Sequence, residues 1–384
     1  MRSVVVGKFV PWPPNSGDKR RTLGIVRALR EQGEVVLVAY AGEHEDAEPL
    51  RAEGIEVRSV PLRRRPRDLV EGLVRGRSIT TARFWDAELA RVLAQACTPD
   101  TDVLVVEHVQ LLPVARGLRA RVRVLDMHNV ESSLTARMAA SAAGPAKLVY
   151  AAEARALRRI ERTVDDVDVV AVVSEGDRDG LVALGSRHTP VVVPNAWGEP
   201  DPLPPAADPV VSFVALQSWA PNVEAALWFA REVWPRVVEA VPGARLQVVG
   251  REPTAEVRAL AGPSVVVTGT VEDLTPWYQA TRVSVAPLLT GGGSRLKILE
   301  SLAAGRPVVS TAIGVEGLED LVGRGVVVAD APAAMAAALV ELLTDVEAAA
   351  ALGLAGAEAV GADHSWEAAV RPLLARLHTL GAED

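Results

Sequence analysis

The chain has 384 residues, a length that predicts two or three domains at roughly 150 residues per domain. Apolar residues make up 49% of the sequence and charged residues 23%, which is typical of a globular enzyme. The net charge of −8 argues against a general nucleic-acid-binding protein, and the single cysteine, Cys97, excludes an internal disulfide and a cysteine-rich zinc site. The sequence has neither an apolar run of the roughly 18–20 residues that a membrane span needs nor the features of a signal peptide, so we expect a cytoplasmic protein.

Short apolar runs alternate with helical patterns along residues 1–193. Helical patterns such as Asp18–Glu31 and Trp85–Ala96 lie between runs that predict strands at Ser3–Val6, Glu34–Tyr40, Gly54–Val60, Asp102–Val106, Arg121–Met127 and Val167–Ser174. Several of these runs are continuously apolar, which is typical of strands covered on both faces, as in parallel sheets. Residues 1–193 are therefore predicted to form a doubly wound, Rossmann-like α/β domain.

Six prolines between Pro190 and Pro205 exclude a helix or a central strand there and predict a linker over residues 194–208. The alternation then restarts, with strands predicted at Val210–Leu216, Arg245–Val249, Ser264–Thr268, Arg282–Ala286, Pro307–Ser310 and Gly325–Val328. We predict a second Rossmann-like domain over residues 209–362 and a final helix over 363–384. Residues 1–193 have a slight basic excess and the remainder is acidic, so the two domains either bind different partners or differ only in solvated surface.

A glycine-rich motif, Gly291-Gly292-Gly293-Ser294-Arg295-Leu296-Lys297, lies between a predicted strand and a predicted helix. Consecutive glycines let the backbone approach a ligand closely, and a helix N-terminus presents unpaired N–H groups with partial positive charge. Arg295 and Lys297 add two full charges, and Glu300 is placed to accept hydrogen bonds from ribose hydroxyls. The motif therefore predicts a pyrophosphate site, and the alternative is a strand–helix turn with surface cations.

The loop after the first predicted strand contains Gly17 and Asp18. Gly17 allows this loop to pass close to a ligand, and Asp18 is placed to cap the helix that follows. The sequence lacks the G-x-G-x-x-G and G-x-x-x-x-G-K-[ST] patterns at this position, so a nicotinamide, flavin or P-loop site has little support.

Polar residues also follow the predicted strand Arg121–Met127, namely His128, Asn129 and Glu131. A histidine at the carboxyl end of a strand is placed to donate a hydrogen bond to a ligand, so His128 is a candidate catalytic residue. Asn129 and Glu131, together with Asp18, are candidate acceptor or cleft residues. His108, at the end of the preceding strand, is interpreted as structural.

Three weaker signals remain. Trp219 and Asn222 lie between a strand and a helix, where they contact an acceptor, line a cleft or pack into the core. The acidic residues of 165–168 are interpreted as a helix cap and a turn, and without spaced histidine ligands no metal site is predicted. A basic run suits either a solvated loop or weak association with an anionic membrane; it contains Arg63, Arg64, Arg65 and Arg67.

Together these motifs resemble the GT-B glycosyltransferases, specifically retaining glycosyltransferase family 4 (glycosyl transferases group 1) in its triple-glycine branch. The resemblance is specific in the second half, where it rests on residues 291–300, on Pro221-Asn222-Val223-Glu224-Ala225 and on Ala303-Ala304-Gly305-Arg306-Pro307-Val308-Val309-Ser310-Thr311. Val193-Pro194-Asn195 resembles the interdomain segment of the family, with Ala196 where the family has glycine. The first half matches only in its loops and in His128.

This resemblance implies two Rossmann-like domains that face a cleft, with a C-terminal helix that crosses back to the first domain. The donor is implied to bind mainly the second domain and the acceptor mainly the first, with His128 near the donor sugar and Gly17 near the phosphates. Glu300 is then the ribose ligand, whereas Gly292 stands where the family has its other glutamate. Contacts to the sugar hydroxyls must therefore come from backbone N–H groups or from another residue.

Two further donor contacts follow from the resemblance. The family's usual Arg and Lys pair for the diphosphate is not evident around residues 217–225, so this role is assigned to Arg295 and Lys297. The nucleotide base is expected near Val271 and Leu274, with UDP, GDP and dTDP as alternatives.

The implied activity moves a sugar from a nucleotide diphosphate sugar to a hydroxyl of a small-molecule, lipid-linked or polysaccharide acceptor, with retention of the anomeric configuration. Fixed cations and glycine N–H groups stabilise the leaving diphosphate in place of a divalent metal, so neither a metal nor a cofactor is expected. Two alternatives are a nucleotide-sugar 2-epimerase and a non-catalytic nucleotide-sugar-binding partner protein. The abundance of Ala, Val and Arg suggests a bacterial origin.

Overall fold

The computed structural model describes residues 1–42, 45–62, 78–290 and 295–382. The chain divides into two compact units, one formed by Met1–Asn195 with Ala369–Asp384 and the other by Ala196–Ala368. Each unit contains a parallel β-sheet with helices between successive strands, which confirms the prediction of two doubly wound, Rossmann-like α/β domains.

The sheet of the first unit has the order β3-β2-β1-β4-β5-β6-β7 among the described residues, and its strand pairs are parallel. These strands are β1 Arg2–Gly7, β2 Glu34–Ala41, β3 Glu56–Pro61, β4 Val103–Glu107, β5 Val122–Met127, β6 Val169–Val172 and β7 Val191–Val192. β1 and β4 are neighbours although two strands separate them in sequence, so the winding direction reverses between them. Ligands of open α/β sheets bind at such a reversal, beyond the carboxyl ends of the strands.

The helices of the first unit lie between these strands, as the alternating pattern predicts. They span Gly17–Glu31, Glu48–Ala52, Ile79–Phe84, Ala87–Ala96, Glu131–Ser141, Gly144–Glu161 and Glu175–Ala183, with 3₁₀ turns at Val109–Leu111 and Val164–Asp166. Ser16, and not Asp18, occupies the N-cap position of the first helix. Asp18 lies in the first turn and accepts a hydrogen bond from the Ser16 hydroxyl, so the expectation that Asp18 caps this helix is wrong.

The sheet of the second unit repeats the same plan in the order β10-β9-β8-β11-β12-β13, again with parallel pairs. Its strands are β8 Val210–Val214, β9 Arg245–Val249, β10 Val265–Val267, β11 Val283–Ala286, β12 Val308–Ser310 and β13 Val326–Val328. β8 and β11 lie side by side, with Val211 opposite Val283, so the winding direction of this sheet reverses there. The residues after these two strands are therefore the expected ligand contacts of this unit.

The helices of the second unit include one that passes through a π-helical turn. They span Ala220–Trp228, the π turn Phe229–Val233, Trp234–Ala240, Ala255–Arg258, Thr275–Ala280, Leu296–Ala303, Ala312–Val315, the 3₁₀ turn Glu319–Leu321, Pro332–Thr344 and Val346–Asp363. The last helix, Trp366–Ala382, begins in the second unit and belongs to the first from Ala369 onward. None of the helices in the described part of the chain is long and apolar enough to cross a membrane.

Residues 201–206 of the proline-rich segment pack within the second unit. The buried Arg306 donates a hydrogen bond of 2.7 Å to the carbonyl of Pro204, and the buried Arg282 donates through Nε to the carbonyl of Ala206 at 3.2 Å. The backbone N–H of Asp201 donates to the carbonyl of Ala303 at 3.0 Å. These bonds fix the part of the segment between residues 201 and 206 against that unit.

Candidate functional site

A buried ion pair lies at the carboxyl end of β5 in the first unit. Arg21 binds both oxygens of Asp126, with Arg21 Nε 2.7 Å from Asp126 Oδ2, and both side chains are almost completely buried. Arg21 Nη1 donates to the carbonyl of Val193 at 2.8 Å and to Asn195 Oδ1 at 3.3 Å. Burial opposes ionisation of Asp126, but the charge of Arg21 outweighs it and holds the pKa of Asp126 well below its usual range. The pair is therefore charged at neutral pH.

His128, which directly follows β5, is held through one ring nitrogen. Its Nε2 lies 2.8 Å from Glu107 Oε2 and 3.3 Å from Asp126 Oδ2. Glu107 is the fully buried last residue of β4, and its Oε2 also accepts a hydrogen bond of 3.0 Å from the Thr22 hydroxyl. Burial disfavours a charged His128, but its hydrogen bonds with Asp126 and Glu107 and their charges raise its pKa above the ordinary value. His128 therefore keeps its proton to a higher pH than an exposed histidine does.

The ring of His108 lies against the ring of His128, with centroids 3.6 Å apart and ring planes tilted by 35°. The backbone of His108 has a φ of 72° and a ψ of 138°, a conformation that residues with a side chain rarely adopt. Such backbone strain costs on the order of 1–3 kcal/mol and persists only where the surroundings impose it. Burial, together with the charge of His128, holds the pKa of His108 well below its usual range, so His108 is neutral. His108, interpreted from the sequence as structural, thus lies in the same cluster as His128.

Two more charged groups interact electrostatically with this cluster. Burial lowers the pKa of Lys8, which follows β1, although the charges of Glu131 and Asp18 oppose the shift. Burial raises the pKa of Asp18, but the hydrogen bond from Ser16 and the positive charge of His128 outweigh this effect and lower it. Asp18, Glu131 and His128, three residues predicted from the sequence, therefore lie at one edge of the first sheet, together with Lys8.

Part of the cluster has the spacing of a cation site, because ligand atoms of Glu107, Asp126 and His128 lie within 4.8 Å of one another. Arg21, however, binds both oxygens of Asp126 and already supplies the balancing positive charge. A metal ion there would lie close to the guanidinium and be repelled by it. We therefore interpret the three residues as part of an ion-pair network and not as metal ligands.

In the second unit, a lysine and an asparagine meet at the reversal between β8 and β11. Lys297 lies in the first turn of the helix Leu296–Ala303, and its Nζ donates a hydrogen bond of 2.6 Å to Asn222 Oδ1. The Nδ2 of Asn222 donates to the carbonyl of Leu216 at 2.8 Å, which fixes the orientation of the amide. The Lys297 Nζ also lies 5.1 Å from the centroid of the Phe213 ring, within the range of a cation–π contact.

The buried Arg295 lies two residues before Lys297 and affects its charge. Burial and the positive charge of Arg295 lower the pKa of Lys297 to about 7. Arg295 Nη2 donates to the carbonyl of Ile313 at 2.7 Å and lies 3.3 Å from Glu316 Oε2. Two neighbouring cations in poorly solvated surroundings favour the binding of an anion, because an anion stabilises the charged form of both.

The other predicted site residues differ in their burial and in whether the structure describes them. Gly291, Gly292, Gly293 and Ser294 lie outside the described residues, as do Arg63, Arg64, Arg65 and Arg67. Asn222, predicted as an acceptor or cleft contact, is buried and uses both ends of its amide within the second unit. Leu296 is buried as the first residue of its helix, whereas the half-buried residues are Gly17, Asn129, Trp219, Val271, Leu274 and Glu300.

Sequence reasoning missed Glu107, Arg21 and Lys8. Glu107 ends a run of apolar residues, and Lys8 comes one residue after such a run. A charged residue at the carboxyl end of a buried strand is the signal that would have identified both. Arg21 has no comparable signal, because the run Lys19-Arg20-Arg21 does not show which of its members points inward.

Solved structures similar to the chain are GT-B glycosyltransferases. The sucrose-phosphate synthase of Thermosynechococcus elongatus is 18% identical, with a TM-score of 0.73 and coverage of 100% of both chains. HepE of Anabaena, in complex with UDP and glucose, is 13% identical, with a TM-score of 0.69 and coverage of 99% of this chain and 100% of HepE. TarM of S. aureus is 10% identical, with a TM-score of 0.71 and coverage of 98% of this chain and 99% of TarM. At these identities the similarity shows the fold alone.

Two family models match the sequence, one in each unit. The glycosyl transferase 4-like domain matches residues 16–196, and the glycosyl transferases group 1 domain matches residues 208–345. The two models together match most of the chain, which therefore belongs to the group 1 and 4-like glycosyltransferases. In this glycosyltransferase the first family domain contains His128 with Arg21, Glu107, His108 and Asp126. The second family domain contains Lys297 with Asn222 and Arg295. No curated protein matches the glycosyltransferase in sequence.

Proposed function

We propose that this glycosyltransferase moves a sugar from a nucleotide diphosphate sugar to an acceptor hydroxyl, with retention of the anomeric configuration and without a metal ion. The observation that carries the proposal is the Lys297–Asn222 hydrogen bond beside the buried Arg295, at the start of the helix Leu296–Ala303. An oriented ammonium, a guanidinium and a helix N-terminus together suit a diphosphate. The complex of HepE with UDP and glucose supports a nucleotide donor of this kind.

The second unit supplies the remaining donor contacts in this proposal. Glu300 binds the ribose hydroxyls, and Val271 and Leu274 lie against the nucleotide base. The first four residues of the glycine-rich motif contact the phosphates and the sugar in this proposal; they are Gly291, Gly292, Gly293 and Ser294.

The reaction requires fixed positive charge near the leaving diphosphate. Cleavage of the bond between the sugar and the phosphate develops negative charge on the leaving diphosphate and positive charge on the sugar ring. Lys297 and Arg295 stabilise the first of these charges without reorganising during the reaction. The leaving phosphate oxygen then takes the proton of the attacking acceptor hydroxyl on the same face of the sugar, so the configuration is retained.

The first unit binds the acceptor and completes the contacts to the donor sugar. His128 donates a hydrogen bond to the transferred sugar, and Gly17 lies near the phosphates. Asp18, Asn129 and Glu131 are polar residues near His128 that suit a hydroxyl-bearing acceptor, whether a small molecule, a lipid-linked sugar or a polysaccharide.

Calorimetric titration with UDP, GDP and dTDP in the presence of EDTA tests the donor site. We expect selective binding of one nucleotide without metal, and a much weaker but still measurable affinity in Lys297→Met. Lys147→Met is the matched control, because Lys147 is an exposed lysine of the first unit, outside the proposed donor contacts. Its removal should leave binding unchanged. Absence of binding to all three nucleotides in the folded wild-type protein would contradict the proposal, and a strict need for magnesium would contradict its metal-independent form.

Product analysis separates transfer from epimerisation. A 2-epimerase converts the donor into a second sugar nucleotide without any acceptor, which NMR of the donor sugar detects directly. We expect the donor to stay unchanged, apart from slow hydrolysis, until an acceptor hydroxyl is supplied. A donor that binds but is neither transferred nor altered across a broad acceptor panel would instead indicate a non-catalytic binding protein.

A further inference from the structure

Glu107 is placed to influence a substrate only through another side chain. It is fully buried, and its Oε2 binds the Thr22 hydroxyl and the Nε2 of His128. The other oxygen, Oε1, is buried and has no hydrogen-bond partner among the residues that the structure describes. A carboxylate with one unpartnered oxygen is costly to bury, so the charge of His128 is its main compensation.

The neighbouring carboxylate, Asp126, also raises the pKa of His128, but Arg21 binds it as well. Both oxygens of Asp126 are bound by Arg21, which balances the charge of Asp126 before His128 does. The contact of His128 with Asp126 is also longer, 3.3 Å against 2.8 Å for Glu107. Glu107 is therefore the carboxylate in shorter contact with His128, and it raises the pKa of the histidine together with Asp126.

These contacts determine which nitrogen of His128 faces a ligand. The contacts that the described residues make with the ring nitrogens all go to Nε2, which leaves Nδ1 for a substrate. Nε2 carries the proton that points to the carboxylates. Nδ1 is therefore a donor when the ring is charged and only an acceptor when it is neutral. A carboxylate at Nε2 favours the charged ring and so makes Nδ1 a donor.

We propose that Glu107 is a positioning residue for sugar transfer, which acts through His128 by fixing its ring and keeping Nδ1 a hydrogen-bond donor to the transferred sugar. The inference rests on the proposed function, because that function assigns His128 to the donor sugar. The adjacent ring of His108 fits this role, since it lies against one face of His128 and restricts rotation of the ring.

Other charged groups around His128 also affect its pKa. Burial and the charge of Asp126 raise the pKa of Glu107, whereas the hydrogen bond to His128 and the charge of Arg21 lower it, with a net rise. His108 is neutral beside the ring. The groups that act on His128 or on its partners lie on several elements; they are Lys8, Asp18, Arg21, Glu107, Asp126 and Glu131. A substitution of Glu107 alone keeps the other charged groups around His128.

Histidine side-chain NMR of the wild-type protein and of Glu107→Gln tests the coupling without any substrate. The isosteric substitution removes the charge and keeps an oxygen for Nε2, so we expect the pKa of His128 to fall by about one unit. Glu161→Gln is the matched control: Glu161 is a buried carboxyl of the same unit that binds the Ser132 backbone N–H at 3.0 Å. The control is expected to leave the pKa of His128 unchanged.

Kinetics then connect this coupling to sugar transfer. In Glu107→Gln the basic limb of the pH profile of kcat should move to lower pH by the same amount as the pKa of His128. At a fixed pH on the basic limb we expect kcat to fall about tenfold for each unit by which the pKa of His128 falls, while the Kd for the nucleoside diphosphate stays unchanged. A structural role alone would lower the unfolding midpoint without moving the pH profile.

Three results would overturn the inference. One is a wild-type His128 with a pKa at or below about 6.5, which needs no variant and holds even if Glu107→Gln does not fold. The second is a His128 pKa that is equal in both proteins, and the third is a lowered pKa with an unmoved pH profile. If the wild-type protein bound no sugar nucleotide, the proposed function itself would be contradicted. If it transferred sugar but gave any of these three results, only the role of Glu107 would be contradicted.

Discussion

Asn222 holds Lys297 at the reversal of the second sheet, with 2.6 Å between Asn222 Oδ1 and Lys297 Nζ. The amide is itself fixed, because its Nδ2 donates to the carbonyl of Leu216. Two residues that lie 75 positions apart in the sequence are thus coupled through one neutral hydrogen-bond acceptor, which orients the ammonium without neutralising it.

Asn222→Ala should weaken nucleotide binding through Lys297. A hydrogen bond to a charged group contributes about 1.5–3 kcal/mol, so we expect UDP, or whichever nucleoside diphosphate binds, to lose roughly 10- to 100-fold in affinity. Calorimetry with the diphosphate and with the nucleoside alone measures this effect. The nucleoside lacks the phosphates, so its affinity should change little, and an equal loss for both ligands would argue against a role at the diphosphate.

Binding of the diphosphate should weaken as the pH rises through neutrality. Burial and the charge of Arg295 lower the pKa of Lys297 to about 7, so a growing fraction of the free protein has a neutral Lys297 above that pH. Bound diphosphate favours the charged form, and proton uptake should therefore accompany binding near pH 8. Calorimetry in buffers of different ionisation enthalpy measures this uptake. Lys297→Met should abolish it, and an uptake that persists in this variant would assign the proton to another group.

Asp126→Asn should destabilise the first unit strongly. The substitution leaves Arg21 buried without a carboxylate, and breaking a buried ion pair costs about 3–5 kcal/mol. Urea denaturation at pH 7 measures the loss of unfolding free energy. The pKa of Asp126 is depressed in the folded protein, so its contribution is present above the unfolded value of about 3.9 and is lost as the pH falls toward the folded value.

Arg27→Met is the matched control for Asp126→Asn, because Arg27 lies in the same helix as Arg21 and pairs with Glu53 at the surface. The side chain of Arg27 is 46% exposed, and exposed pairs contribute about 0–1 kcal/mol. Equal losses from the two variants would contradict the importance of burial for the pair of Arg21 and Asp126.

Gly353→Ala should destabilise the second unit even though alanine normally favours a helix. A Cβ at residue 353 would lie 2.1 Å from the carbonyl oxygen of Gly305, and this backbone contact can be relieved only by moving the helix Val346–Asp363. We expect a loss of about 1–3 kcal/mol in thermal or urea unfolding.

A second helical glycine provides the opposite expectation. At Gly180 the nearest atom to an added Cβ is Val130 Cγ2 at 3.9 Å, an ordinary contact distance. Gly180→Ala should therefore stabilise its helix by about 0.5–1 kcal/mol. If both variants moved the midpoint in the same direction, the close approach at Gly353 would not be the cause.

The sequence predicted the fold well because continuous valine runs mark strands that are buried on both faces. Arg245–Val249 was predicted with its observed bounds, whereas Val210–Leu216 ends two residues earlier in the structure, at Val214. The edge strand Val191–Val192 was not predicted, because the flanking Pro190 and Pro194 outweighed a run of only three valines. Edge strands tolerate flanking prolines, and only the tertiary structure shows that this one is at an edge.

The candidate site was predicted only in part, because its defining contacts join distant segments. Lys297 and His128 were identified from local motifs, but their partners Asn222 and Glu107 follow from the order of strands in each sheet. Local sequence also does not show that Lys297 is partly buried near Arg295, and its lowered pKa follows from that environment. The sequence motifs thus identify the charged residues, whereas the strand order determines which partners they contact and therefore their protonation.

The two buried arginines that bind the proline-rich segment determine where the second unit can be cut as an independent fragment. A fragment that began at Asp208 would lack the carbonyls of Pro204 and Ala206, and Arg306 and Arg282 would lose these hydrogen bonds inside the protein. The folding unit therefore begins upstream of the glycosyl transferases group 1 match, which starts at residue 208. Domain exchange between related glycosyltransferases should accordingly place the junction before Asp201, so that each arginine keeps the backbone it binds.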